Sequence, residues 1–133
     1  MKIARRHSIW GSQVALDIDI WYPADADLVK WLERMRETTG PSLVPTTELN
    51  ARVAGHPASA FVTGLQTPSP MFSVYLSNGV YIYRLWFTLR CDQEESPTIH
   101  RMLDTFRFSA QPFPAEIPDA VWKDIQQACI TSG

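Results

Sequence analysis

Histidines and cysteines most often carry catalysis or bind metals, and this chain of 133 residues has three of the former and two of the latter. None of His7, His56 and His100 stands at a metal-ligand spacing from another histidine or a cysteine. Cys91 precedes an acidic stretch at 92–95, and neighbouring negative charge disfavours a reactive thiolate. The sequence therefore predicts no metal site, no cofactor and no cysteine-based active site.

Asp17 and Asp19 stand two residues apart, so a strand would place both carboxylates on one face. Such a pair could serve acid–base chemistry or bind a cation, but the simpler interpretation is the solvated face of a half-buried strand. Catalysis would need Asp17, Asp19 or His56 to converge in one cleft. No nucleophile elbow, phosphate-binding loop or dinucleotide fingerprint is present, and we expect a protein that is not an enzyme.

Tyr75, Arg84 and Trp86 are the candidate binding residues. They belong to the mixed face of a predicted hairpin, a face too apolar to be covered by water alone. We expect an apolar patch or groove with these three side chains at its rim. A partner protein, a second copy of the chain, a ligand or the chain's own helices could cover it.

The hairpin over Met71–Leu89 positions those residues. Asn78-Gly79 is the dipeptide most typical of a two-residue hairpin loop. That loop pairs Leu76 with Tyr81, Val74 with Tyr83, and Phe72 with Leu85. The face formed by these residues, Phe87 and Leu89 is wholly apolar, so we expect it in the core.

Alternating and helical apolar patterns predict the remaining elements. A strand at Val14–Tyr22 is followed by a helix at 28–38, capped by Asp25 or Asp27, with the apolar stripe Leu28, Trp31, Leu32 and Met35. Two strands come next, at Thr46–Ala54 with Leu49, Ala51 and Val53 inward, and at Ser59–Gln66. After the hairpin, a helix starts at Ser96-Pro97 with the stripe Ile99, Met102, Leu103 and Phe106, and a last helix spans Ala120–Cys129. Sequential strands with short turns favour an α+β fold, a twisted, mostly antiparallel sheet with helices packed on its faces. We expect an N-terminal arm at 1–13, one domain at 14–109, and a proline-rich extension and helix at 110–133 packed on that domain.

Composition and charge exclude several classes of partner. The net charge of −2 provides no field that would attract nucleic acid or an anionic membrane. No run reaches the ~18 apolar residues of a membrane span, and no apolar segment follows the basic residues of the loose N-terminal arm. We expect a soluble, cytoplasmic protein; a fragment of an exported protein is the alternative. The spacing of Cys91 and Cys129 does not decide whether they pair.

Three short motifs follow one another in a suggestive order. Gly55-His56-Pro57-Ala58 is a Gly-x-Pro-Ala turn, Gly79 through Tyr83 is an aromatic hairpin segment, and Leu103, Phe106 and Phe108 close a helix. With this order over residues 14–108, the chain resembles the PsbP-like superfamily, which includes the photosystem II subunit PsbP, DcrB-type lipoproteins and the Ran-binding nuclear-import factor. The resemblance implies an α/β/α sandwich and a non-enzymatic docking, scaffolding or chaperone-type module; some such chaperones are dimers. The helix with Trp122 is an addition to the pattern.

The predicted function is a non-catalytic protein-interaction domain of the scaffold, adaptor or chaperone type. Its partner is another protein or a second copy of the chain, as a homodimer. The alternative is a small-ligand carrier with a closed pocket above ~300 Å³ between sheet and helices. An enzyme is the third interpretation.

Overall fold

Six antiparallel strands and three helices make up the fold in a computed structural model that describes residues 5–10, 15–65, 67, 69–89, 96–106 and 115–132. The elements are β1 (Arg5–Trp10), β2 (Ala15–Trp21), α1 (Leu28–Thr39), β3 (Ala51–Val53), β4 (His56–Thr63), β5 (Met71–Ser77), β6 (Ile82–Thr88), α2 (Ser96–Thr105) and α3 (Asp119–Ser132). The strand order is β1-β2-β6-β5-β4-β3. Helix α1 packs on one face of the sheet, and α2 and α3 pack on the other. The predicted α+β class is confirmed.

The β5–β6 hairpin is present, but its loop is longer than predicted. Residues 78–81 form the loop, in which the Asn78 side-chain oxygen accepts from the backbone N–H groups of Val80 at 3.0 Å and Tyr81 at 2.8 Å. Leu76 therefore pairs with Tyr83 and not with Tyr81, so the predicted register is wrong by two positions. Because side chains alternate with a period of two, a shift of two leaves each residue on its predicted face.

The face beneath α2 and α3 is the apolar one, as predicted. Phe72 and Phe87 are fully buried, and their rings stack at 5.6 Å between centroids. Ile99 and Leu103 bury the predicted stripe of α2, and Val121 and Ile125 do the same for α3. Helix α3 therefore belongs to the same core as the sheet.

Helix α1 covers the opposite face with the predicted stripe. All four stripe residues are buried: Leu28, Trp31, Leu32 and Met35. Asp27 is the N-cap, since its carboxylate accepts from the Lys30 N–H at 3.0 Å. At the other end Gly40 has a φ of 93°, a backbone conformation that favours glycine, and its N–H donates to the Arg36 carbonyl at 2.8 Å. Local sequence signals thus set both ends of α1.

Two strand predictions need correction. Residues 5–10 are not a loose arm but the edge strand β1, because their backbone pairs along β2. The predicted strand Thr46–Ala54 shrinks to β3, because the Asn50 side chain takes the place of a ladder residue: its amide donates to the Ala60 carbonyl and its oxygen accepts from the Ala60 N–H, each at 2.9 Å. Leu49 is consequently 39% exposed, whereas Ala51 and Val53 point inward as predicted.

The other boundaries shift by a few residues. Strand β4 begins at His56, inside the predicted turn, and ends at Thr63, so Leu65 lies beyond it and is exposed. Helix α3 begins one residue earlier than predicted and extends to Ser132. Cys91, Phe108, residues 110–114 and the side chain of Cys129 lie outside the described residues. In the part of the chain that the structure describes, no helix combines the length and apolar character required to cross a membrane.

Candidate functional site

The predicted site residues Tyr75, Arg84 and Trp86 lie on the sheet face that carries α1. Arg84 of β6 stands between Asp19 of β2 and Tyr75 of β5, and Trp86 lies two residues further along β6. Tyr75 is 2% exposed, so it belongs to the core beneath α1 and does not reach the surface. Arg84 and Trp86 are half-buried. The three residues are neighbours, but only two of them border solvent.

The Arg84 guanidinium is held from several sides at once. Its Nε donates to Asp19 Oδ2 at 2.9 Å, Nη2 donates to the same oxygen, and Nη1 donates to the Tyr75 hydroxyl at 3.3 Å. Its central carbon lies 4.9 Å from the ring centroid of Trp86, 5.3 Å from that of Trp21 and 5.9 Å from that of Tyr75. A cation among three aromatic rings is stabilised by their negative faces. We call Asp19, Arg84 and Tyr75 the polar row.

The hydrogen-bonding and charged groups of the polar row are paired with one another. Asp19 is 0% exposed, and a buried carboxylate is tolerated only with a charged or hydrogen-bonding partner, which Arg84 supplies. Burial raises the pKa of Tyr75 above its ordinary value of 10.0, against the opposing effect of Arg84. The Tyr75 hydroxyl is therefore neutral at physiological pH and can accept from Arg84. This arrangement holds three strands together rather than preparing a proton for transfer.

The structure does not bring Asp17, Asp19 and His56 into one cleft. Strands β6 and β5 separate β2 from β4, so three inter-strand steps of about 4.8 Å place His56 roughly 14 Å or more from Asp19. The expectation that Asp19 is solvated is wrong, because the carboxylate is buried on the α1 side of the sheet, where it pairs with Arg84. Asp17 is half-buried. No group of three potential metal ligands occurs among the described residues.

A second cluster, at the loop end of the hairpin, is exposed. The rings of Tyr22 and Tyr81 lie 4.6 Å apart, Tyr81 and Tyr83 lie 6.4 Å apart, and Tyr83 and Phe106 lie 6.4 Å apart. Tyr22 is 54% exposed, Tyr81 38% and the adjacent Val80 58%. We call these five residues the tyrosine patch; it contains three of the four tyrosines in the chain.

Four different segments build the tyrosine patch. Tyr22 follows β2, Tyr81 lies in the hairpin loop, Tyr83 is in β6 and Phe106 follows the last residue of α2. The Asn78 amide donates to the Tyr83 hydroxyl at 3.3 Å. Burial raises the pKa of Tyr83, and the nearby Tyr81 and Tyr22 raise it further, so the Tyr83 phenol is neutral at physiological pH. The patch is a surface of aromatic rings in contact with one another, and the hydroxyl of a tyrosine can both donate and accept hydrogen bonds.

Sequence reasoning missed the tyrosine patch. The alternating pattern places Tyr22 with Leu16, and Tyr83 with Val74, on faces interpreted as core. Both residues do lie on the α2 side of the sheet, but the chain leaves α2 at Phe106 and the outer rings remain uncovered. The available signal was chemical: tyrosine, unlike phenylalanine, carries a hydroxyl that favours a position at the edge of a core.

Two open concavities lie on the described surface. A groove of about 590 Å³ runs along the outer edge of β3; it is lined by Leu49, Asn50, Ala51, Arg52, Pro57, Glu116, Ile117 and Pro118. A smaller one of about 390 Å³ lies outside α1 and is lined by Glu33, Arg36, Glu37 and Thr47. Neither lies between the sheet and the helices, where a ligand carrier would hold its ligand.

Comparison with known proteins adds no relative. No protein-family model, curated protein or solved structure matches the chain. Its function is therefore inferred from its own geometry, and the resemblance to the PsbP-like superfamily stays a prediction.

Proposed function

We propose that this chain is a non-catalytic protein-interaction domain that binds an apolar segment of another protein through the tyrosine patch. The observation that carries the proposal is the exposure of Tyr22, Tyr81 and Val80 beside one another on a folded surface. Aromatic residues, tyrosine above all, are enriched where proteins bind proteins. A contiguous exposed apolar patch is the feature that most often marks such a surface.

The patch has the properties of a preformed interface. Each tyrosine presents a large apolar ring and has few rotatable bonds, so little conformational entropy is lost when a partner covers it. The ring contacts from Tyr22 through Tyr81 and Tyr83 to Phe106 hold the side chains in place. The hydroxyls can bind the backbone carbonyls of a partner segment.

The other candidates are less well supported. The polar row is occupied by its own ion pair and hydrogen bonds, so Tyr75, Arg84 and Trp86 are a weaker choice of docking surface. The separation of His56 from Asp17 and Asp19 leaves the catalytic alternative without an assembled site. The PsbP-like resemblance implies the same scaffold, adaptor or chaperone class as the tyrosine patch.

Selection of peptides against the folded chain tests this function. A phage-displayed library of random twelve-residue peptides is panned on the wild-type protein, and the winning peptides are synthesised. We expect apolar peptides whose affinity falls at least about tenfold with Tyr22→Ser plus Tyr81→Ser, because truncating an interface aromatic costs roughly 2 kcal/mol or more. Sedimentation velocity on the same proteins shows whether a second copy is the occupant.

The matched control is Leu43→Ser, which also removes a large apolar side chain with 54% exposure but follows α1 on the other side of the molecule. It should leave peptide affinity unchanged. Peptides that bind the double tyrosine variant and the wild type equally well would contradict the assignment. So would a failure to enrich any peptide from a protein that is monomeric at all concentrations.

A further inference from the structure

The outer edge of β3 is covered by residues 115–118, which we call the strap. The Arg52 N–H donates to the Glu116 carbonyl at 2.8 Å, and the Glu116 N–H donates to the Arg52 carbonyl at 2.7 Å. These two bonds form one isolated antiparallel bridge. The strap thus occupies the position of a further strand while pairing at one residue.

Proline explains why the pairing stops. In an antiparallel ladder the next hydrogen-bonded pair lies two residues along each strand, which would place Pro118 opposite Asn50. Pro118 has no N–H to donate, so the ladder cannot continue in that direction. Its carbonyl instead accepts from the N–H groups of Val121 at 3.0 Å and Trp122 at 3.3 Å, at the start of α3.

The side chains add little to this bridge. Arg52 and Glu116 form an ion pair at 3.8 Å, with side-chain exposures of 52% and 71%. An exposed pair of this kind is screened by water and salt. The strap is nevertheless tied down at both ends, at Pro118 and where the Ala115 N–H donates to the Asp104 carboxylate at 2.8 Å. The strap therefore covers the edge of β3 with only one backbone bridge, although further N–H and C=O groups along that edge could pair with a strand.

The groove beside the bridge gives the edge a further binding feature. With the strap in place its volume is about 590 Å³, in the range of peptide and ligand pockets, and Leu49 and Pro57 supply apolar walls that remain when the strap is displaced. Arg52 supplies a positive charge: its Nη2 donates to the Gly55 carbonyl at 2.7 Å, and its Nε faces the Glu116 carboxylate at 3.8 Å. A peptide that fits both the groove and the charge of Arg52 would be extended. It would carry an acidic residue opposite Arg52, with apolar residues on either side of it to enter the groove.

We propose that the β3 edge is a second binding site, taking an extended acidic-apolar strand of a partner protein in place of the strap. Such a strand, free of proline, can repeat the bridge at Arg52 and add the pair at Asn50 that Pro118 forbids. Its carboxylate replaces Glu116 as the partner of Arg52. This site is separate from the tyrosine patch and does not depend on the function proposed for that surface.

A designed peptide tests the proposal directly. The probe is a fluorescein-labelled peptide, FVAEIVDAV, which repeats residues 113–121 with valine at both prolines; the control peptide FVAKIVDAV reverses the central charge. By fluorescence anisotropy at low ionic strength the wild-type chain should bind the first several-fold more tightly, since like charges placed opposite each other repel and added salt screens that repulsion. Arg52→Glu should reverse that preference.

A change in the chain itself supplies a second readout. Pro118→Val gives the strap the backbone N–H that proline lacks, so the strap should compete better with the probe for the β3 edge. The probe should therefore bind this variant several-fold more weakly. Pro41→Val, at an exposed site after α1, is the matched control. In hydrogen exchange, the bound probe should expose the Glu116 amide while the Arg52 amide stays protected.

Two results would overturn the proposal. One is equal binding of the two peptides by both the wild type and Arg52→Glu. The other is loss of probe binding in the double variant Tyr22→Ser plus Tyr81→Ser, because the probe would then occupy the tyrosine patch. Retention of probe binding by that variant supports the separate site whether or not the tyrosine patch has a partner of its own.

Discussion

The two faces of this sheet are both buried at their centres, yet they are built from different chemistry. Under α1, Asp19, Arg84 and Tyr75 run across three strands as a polar row. Under α2 and α3, the corresponding centre is apolar, with Phe72 and Phe87 fully buried. The face under α1 combines an apolar cluster with an ion pair and hydrogen bonds between strands, whereas the face under α2 and α3 is completed by apolar packing.

The same comparison separates stability from recognition. The polar row has satisfied its charges within the chain, so its removal should chiefly unfold the protein. The apolar face extends past the end of α2 and leaves Tyr22 and Tyr81 at the surface, where their removal should chiefly affect binding. Charged residues in a sheet can thus be structural while its exposed aromatic residues are the better candidates for function.

The largest expected effect comes from breaking the polar row. Asp19→Ala leaves Arg84 without its carboxylate on the α1 side of the sheet, and loss of one partner of a buried pair costs about 3–5 kcal/mol. Urea denaturation followed by tryptophan fluorescence measures the change in the free energy of unfolding. Asp17→Ala, on the same strand face but half-buried, should cost less than about 1 kcal/mol. Equal effects of the two substitutions would contradict the structural role of Asp19.

A smaller effect, with a distinctive pH dependence, is expected at Tyr75. Tyr75→Phe removes the hydroxyl that accepts from Arg84, at a cost of about 1–2 kcal/mol at neutral pH. Because the pKa of Tyr75 is raised in the folded state, its contribution is complete below the unfolded value of about 10 and is lost as pH rises through the folded pKa. The wild type should therefore lose stability above about pH 10 more steeply than Tyr75→Phe.

Urea titrations from pH 8 to pH 11 measure this slope. Tyr83→Phe is the matched control. The pKa of Tyr83 is also raised by burial, but its side chain is only half-buried and lies near Tyr81 and Tyr22. It should remove a smaller part of the alkaline loss. An alkaline slope that is the same in the wild type and Tyr75→Phe would argue against a buried phenol beneath α1.

The smallest effect on stability is expected at the tyrosine patch. Tyr81→Ser should lower the free energy of unfolding by about 1 kcal/mol or less, because the side chain lies at the surface and its removal loses only its ring contacts with Tyr22 and Tyr83. Thermal unfolding by circular dichroism checks this, and the peptide-binding comparison gives the functional counterpart. A Tyr81→Ser variant as unstable as Asp19→Ala would erase the distinction between the two faces.

Local sequence patterns predicted most of the secondary structure but only part of the candidate binding sites. The alternation along β5 and β6 assigned each hairpin residue to the correct face, yet the loop length was missed because the Asn78 side chain binds two backbone N–H groups beyond Gly79. Strand β1 was missed because its pairing with β2 is a tertiary contact. Tyr75 and Arg84 were correctly grouped on one face, but the burial of Tyr75 beneath α1 is likewise a tertiary fact.

By itself the sequence determined the apolar periods and narrowed the helix cap, because these depend on neighbours within a few residues: the stripe of α1, a cap at Asp25 or Asp27, and the two faces of the hairpin. Only the tertiary structure decided which parts of the sheet faces are covered by other segments and which remain exposed to solvent. Whether a carboxylate such as Asp19 is buried, or a ring such as Tyr22 is exposed, depends on which distant segments pack against it. Burial is a property of the packed layers, and the candidate sites follow from burial.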